Sequence, residues 1–109
     1  MATQPMLKMQ SRELVGRTAY RSVSLAGGDD TTPIKGLMGN ESVVVGLTGT
    51  VTSVMPETRM VDTDPWTPCL SAVLAAPQAV TLFNVLDQLR VNVTTGTGVF
   101  ATVLVRRPG

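Results

Sequence analysis

The sequence predicts a mostly β protein: a small antiparallel β-sandwich or jelly-roll-like domain with an extended N-terminal arm and, on one of two readings, one short helix. Three observations carry this. Valine and threonine dominate, with 16 Val and 15 Thr against the single isoleucine Ile34, and β-branched side chains suit pleated sheet better than helix. From Ser42 to Met55 the odd positions 43, 45, 47, 51 and 55 read Val, Val, Leu, Val, Met, while positions 48, 50 and 52 are threonine. Such a period of two marks a strand with one buried face. Finally, Val99, Ala101, Val103 and Val105 alternate with Phe100, Thr102, Leu104 and Arg106, a strand apolar on both faces that needs cover from two sides. Two stacked antiparallel sheets supply it.

At 109 residues there is room for one domain, read as an arm over residues 1–12 followed by a β-rich domain over 13–109. The arm holds Met6, Leu7, Lys8, Met9 and Arg12, with apolar surface but no steady period. It reads as an extended segment suited to docking in a groove of another subunit, because methionine adapts to uneven surfaces. A first β region is expected over Glu13–Ala26, broken by a turn at Gly27-Gly28-Asp29-Asp30. Residues 31–40, with Pro33, Gly36 and Gly39, read as irregular backbone leading into the 42–55 strand.

Residues 56–70 contain Pro56, Pro65 and Pro68 among several charges and read as a long loop. Over 77–89 two readings stay open. Ala79, Leu82, Val85, Leu86 and Leu89 have helical spacing behind Pro77, and the β-branched surroundings equally suit a strand. The chain then reads as a β-hairpin from Leu89 to Arg107, with Thr94-Thr95-Gly96-Thr97-Gly98 as its turn and Val91, Val99, Ala101, Val103 and Val105 buried.

The formal charge is +1, unlike that of a chain built to coat nucleic acid. Charge is nonetheless segregated: residues 1–25 and 90–109 are basic, and Asp29, Asp30, Glu41, Glu57, Asp62, Asp64 and Asp87 make the middle acidic. This is either loop solvation or self-complementarity, in which the basic arm of one subunit meets the acidic loop of the next. The arm has only Tyr20 near it as a stacking ring, a weak pattern for nucleic acid. The only aromatic residues are Tyr20, Trp66, Phe83 and Phe100, so stability is expected to lean on neighbouring subunits. No apolar run reaches membrane-spanning length, and the N-terminus lacks the apolar core of a signal peptide. Synthesis in a cytoplasm is the expectation.

Catalytic patterns are missing. The chain has no histidine, which removes the commonest general base and metal ligand together. No phosphate-cradling glycine motif occurs, and the lone Cys69 reads as a small half-buried hydrophobe. No catalytic, cofactor or metal site is expected. Asp62 and Asp64, near Glu57 and Trp66, fit either solvated turn chemistry or a Ca²⁺ or acid–base pair; the spacing matches no EF-hand. Trp66, between Pro65 and Pro68, is either a plug beneath its loop or an anchor for a partner.

The arm MATQPMLKMQSR, the strand SVVVGLTGTVTSV and the ending RVNVTTGTGVFATVLVRRPG together resemble the small β-rich decoration or cement proteins of tailed-phage capsids. That resemblance implies a non-enzymatic virion protein that binds copies of itself and a larger shell protein, without small-molecule substrate, nucleic acid or membrane, located in the capsid. The candidate partner contacts are Met6, Leu7, Lys8, Met9, Arg12, Asp62, Asp64 and Trp66. A monomeric β-sandwich binding module, recognising sugar or peptide through the 56–70 loop, is the alternative.

Overall fold

The computed structural model describes residues 2–9, 17–37, 39–83 and 85–106, and among these it contains strands and no helix. Eight strands follow in chain order: β1 (Thr3–Gln4), β2 (Met6–Lys8), β3 (Arg17–Ser22), β4 (Asp30–Thr31), β5 (Ser42–Arg59), β6 (Thr67–Pro68), β7 (Ala79–Leu82) and β8 (Gln88–Arg106). The frame is the pair β5 and β8, antiparallel from Ser42↔Arg106 to Arg59↔Gln88. Both strands bend midway and so serve two half-sheets. One half runs β2-β3-β8-β5-β7 and the other β1-β4-β8-β5-β6. Among the described residues only β1 and β4 pair in parallel. The fold is a small β-sandwich of jelly-roll type, as the two-faced apolar strand requires.

The bend is built from glycine. Gly49 and Gly98 have φ of 93° and 59°, a region that L side chains enter only at a cost. A Cβ on Gly49 would run into the Gly98 carbonyl, so the two long strands touch backbone to backbone where they turn. This corrects the expected hairpin: Thr94–Gly98 does not reverse the chain. Pairing with β5 continues on both sides of it, through Val54↔Val93 and Thr48↔Phe100, and the turn-forming residues kink a single strand. The predicted burial holds, with Val91, Val99, Ala101 and Val103 fully buried and Val105 nearly so.

Register slips between Thr48 and Thr50, between Val51 and Ser53, and between Ser53 and Val54. An extra residue in one strand inverts the faces beyond it. Val43, Val45 and Leu47 therefore point inward before the slips, Val51 is buried among them, and Val54, Pro56 and Thr58 point inward after them. Met55, expected on the buried face, is only half-buried for that reason.

The helical alternative over 77–89 fails. Residues 79–82 form a strand on Val43–Gly46; Leu82, Val85 and Leu89 are all buried, yet they sit in β7, a connection and β8. Their helical spacing is a coincidence of three separate elements. The 56–70 loop is also shorter than expected. β5 continues to Arg59, and the chain then returns along its outer edge: Thr67 and Pro68 on Thr58 and Glu57, Cys69 N–H on the Pro56 carbonyl, Leu74 on Val54, Gln78 on Leu47. Pro56 is tolerated mid-strand because the N–H it lacks would point to this flank and not to β8.

The arm lies on its own domain. Thr3 and Gln4 pair with β4, and Met6, Leu7 and Lys8 with β3; Arg12 lies outside the described residues. Strand β3 falls within the expected first β region, and the turn at 27–30 forms, with Asp29 N–H on the Ala26 carbonyl and Ala26 N–H on the Asp29 carboxylate.

Candidate functional site

Alternation on the two long strands places Glu57 and Arg59 of β5, and Arg90 of β8, on the outer face, away from the buried Thr58 and Leu89. Register sets Glu57 opposite Arg90 and Arg59 opposite Gln88, so opposite charges meet across the strands. Arg90 Nε and Nη2 both lie 2.8 Å from Glu57 Oε1, and Nη1 lies 3.1 Å from Asp30 Oδ2. Asp30 Oδ1 in turn accepts a 2.7 Å bond from the Thr3 hydroxyl. Arg59 Nε donates to Gln88 Oε1 at 2.8 Å, and Gln88 Nε2 donates to Asp62 Oδ1 at 2.6 Å. Asp62 also holds Lys35 at 3.2 Å.

Trp66 closes this face. The Arg59 and Arg90 guanidiniums stand 4.2 and 4.5 Å from its ring centroid, cation–π distances that tie the 60–66 turn down onto the strands. Trp66 is thus neither the plug in an apolar core nor an open anchor: it is half-buried over a charged layer. Of the two loop aspartates, Asp62 joins the network. Asp64 stays exposed, its N–H closing a turn on the Val61 carbonyl at 3.0 Å. The two do not form a paired site. In the arm, Met6 packs on the core, whereas Leu7, Lys8 and Met9 are exposed.

The electrostatics are those of a satisfied layer. The hydrogen bond from Gln88, followed by the bond and charge of Lys35, holds the Asp62 carboxyl below the ordinary carboxylate value. Burial, with Glu57 nearby, pushes the Cys69 thiol up to about 11, so it stays protonated and unreactive at neutral pH.

Beside this layer lies a groove. Met60, Val61, Asp62, Thr63, Asp87 and Gln88 line a depression of about 430 Å³. A second of about 230 Å³ adjoins it, sharing Met60 and Asp87 and adding Leu37, Gly39, Val85 and Leu86. Met60, Val61 and Leu86 are about half exposed at its rim.

The interior offers no counterpart. Inward positions of β5 and β8 are filled by valine, leucine and alanine, with Pro56 and Thr58 toward the end of β5. The buried polar side chains are spent on backbone and neighbours: the Thr31 and Ser22 hydroxyls accept from Val91 and Ala101 N–H, and Thr58 donates to the Gln88 carbonyl and accepts from Leu86 N–H. Among the described residues no buried side-chain polar atom lacks a partner, and no three His, Cys, Asp or Glu side chains converge as a metal site. This interior does not fit a metal ion.

No protein-family model matches the sequence, and no curated protein matches it. Solved structures do match. A cupin domain from Bordetella pertussis Tohama I superposes over 100% of this chain and 99% of its own at a TM-score of 0.56 and 13% identity. The cupin domain of an XRE-family transcriptional regulator from Enterobacter cloacae covers 95% of this chain and 96% of its own, at 0.56 and 13%. An RmlC-like cupin protein from Desulfovibrio desulfuricans covers 95% and 82%, at 0.50 and 10%. The fold is therefore cupin-like. This overturns the resemblance to phage decoration proteins: full-length likeness runs to cupin domains, one of them from a transcriptional regulator, and the texture that suggested a capsid protein is that of a Val- and Thr-rich jelly roll. The expected virion function and capsid location fall with it.

Proposed function

We propose that this chain is a non-enzymatic binding module, and that it takes a small hydroxyl-bearing ligand of sugar size in the groove between residues 60–63 and 85–88. The observation that carries this reading is the lining. Asp62, Thr63, Asp87 and Gln88 line the same depression as Met60 and Val61. A few placed polar groups beside apolar surface are what a sugar, with its hydroxyl edge and apolar face, requires. The volume of about 430 Å³ is of the right order for such a ligand. The filled interior directs recognition to the outside.

The absence of catalysis is supported by chemistry. Asp62 is stabilised as the anion and Cys69 as the neutral thiol, which leaves neither poised for proton transfer or attack at neutral pH. The fold also occurs as one domain of a regulatory protein, a setting compatible with binding alone.

Trp66 reports on the site through Arg59 and Gln88. Titration with a panel of mono- and disaccharides should change its fluorescence and shift backbone amide resonances of residues 60–63 and 85–88, and Asp87→Ala should weaken both responses. If no sugar moves these signals while a short peptide does, the ligand class is wrong; if neither does, the groove is not the site.

A further inference from the structure

The return path from β6 to β7 runs along the outer flank of β5, bonded to it at Pro56, Val54 and Leu47, and residues 65–86 contain no Lys, Arg, Asp or Glu. Most of this flank is exposed, including Val73 at 49% and Phe83 at 84%. A free sheet edge is a template for another strand, and proteins ordinarily blunt it with lysine, proline or shortness. The other edges here are blunted. β2 carries Lys8, β6 contains Pro68, and β1 is two residues long and followed by Pro5. β7 itself contains neither lysine nor proline, Pro77 standing two residues ahead of it: it reads Ala79-Val80-Thr81-Leu82 and runs on into Phe83.

The free groups can be assigned. Leu47 N–H donates to the Gln78 carbonyl, and register then pairs Val45 with Val80 and Val43 with Leu82. By antiparallel alternation Gln78, Val80 and Leu82 direct their backbone groups at β5, while Ala79, Thr81 and Phe83 direct theirs outward. Among the described residues nothing pairs with that outer side.

We propose that a second copy of this chain docks on the β7 edge, by antiparallel pairing of β7 with itself about a two-fold axis at Thr81. A two-fold contact must be self-complementary, and this one is. Thr81 exchanges both of its backbone bonds with Thr81 of the other copy, and Ala79 meets Phe83 in both directions. On the solvent face the exposed Phe83 ring of each copy covers the Ala79 and Thr81 side chains of the other. Because residues 65–86 carry no charge, a two-fold contact at this edge sets no like charges against each other, as one on the lysine-bearing β2 edge would. A contact made by this flank is insensitive to salt, unlike one between a basic arm and an acidic loop. The pairing residues Ala79, Thr81 and Phe83 do not line the groove, so substitutions there test the contact separately from ligand binding.

Sedimentation velocity across micromolar to millimolar protein, at low and high salt, tests this. Wild type should dimerise with a dissociation constant unchanged by salt. Thr81→Pro removes one outward donor per copy and no bond to β5; losing two hydrogen bonds at the axis weakens the dimer roughly tenfold to a hundredfold. Thr81→Lys and Phe83→Lys should do the same by placing charge on the edge, with circular dichroism unchanged. Phe83→Lys alters a side chain with almost no contact within its own subunit, so it keeps the test decisive if the Thr81 variants misfold. A wild type monomeric at every concentration overturns the proposal, as does a dimer that salt dissolves or that these variants leave intact.

Discussion

Replacing Gly49 by alanine tests the bend on which the whole sandwich depends, and two other glycines separate the terms. Gly36 has φ of +84° and nothing within 4 Å of an added Cβ. Gly36→Ala therefore costs only the left-handed backbone, about 1–2 kcal/mol, less about 0.4–1 kcal/mol from the reduced freedom of the unfolded chain. The net loss is roughly 1 kcal/mol by the difference of these two. Gly46 lies in β5 outside the positive-φ region and would place its Cβ 4.0 Å from the Thr102 carbonyl, an ordinary contact. Gly46→Ala should change stability by less than about 0.5 kcal/mol. Gly49 combines φ of +93° with a collision against the Gly98 carbonyl and a 3.1 Å approach to Val99 Cα. Those atoms belong to β8, which is held on its other side by Leu25 through reciprocal bonds to Val99 and cannot retreat freely. Overpacking of this kind adds about 1–3 kcal/mol, giving Gly49→Ala a total of roughly 2–4 kcal/mol. Urea unfolding at constant m-value measures all three. If Gly49→Ala is no worse than Gly36→Ala, the two long strands do not touch at their bend and the account of the corner is wrong.

Two further outcomes follow from the titrating groups. Asp62 has a folded-state pKa below its ordinary value of 3.8, so its contribution to stability is present above the unfolded value and is lost as pH falls through the lower folded one. Thermal unfolding of Asp62→Asn across acid pH should show a shallower decline than wild type below about pH 4; parallel curves would refute the Gln88 and Lys35 bonds to this carboxylate. Cys69, with its thiol at about 11, should react with iodoacetamide far more slowly in the native than in the urea-unfolded protein at pH 8. Its native rate should climb as pH approaches that value. Equal rates in the two states would show that the thiol is not shielded.

The β class was legible because its signals are local. Alternation in 42–47 and 99–105 needs no partner to be read, and the residues it marks as inward are buried. What failed depends on distant partners. Thr94–Gly98 carries the composition of a hairpin turn, yet it kinks one strand because both flanking halves have a long partner in β5 that bends at the same level. A turn reverses a chain only when the two segments beside it are each other's best neighbours. The prolines and charges of 56–70 likewise read as loop, although Pro56, Glu57 and Arg59 are strand residues whose neighbours lie some thirty positions away.

The polar layer shows the same limit more sharply. Glu57 and Arg59 flank a buried Thr58, and Gln88 and Arg90 flank a buried Leu89, so each triplet hints at a charged face over an apolar one. That Glu57 meets Arg90 and Arg59 meets Gln88 depends on the register slips between Thr48 and Val54. Continued without them, the odd-position pattern of Val43, Val45 and Leu47 carries inward to Glu57 and Arg59, burying two charges with no partners there. The slips therefore do more than curve the strand. They turn Glu57 and Arg59 outward to Arg90, Gln88 and Trp66, turn Val54 and Thr58 inward, and bring the 60–63 turn against Asp87 and Gln88. The charged layer, the groove beside it and the second half of the core thus share one cause, a local shift in pairing that alternation read from the sequence alone does not contain.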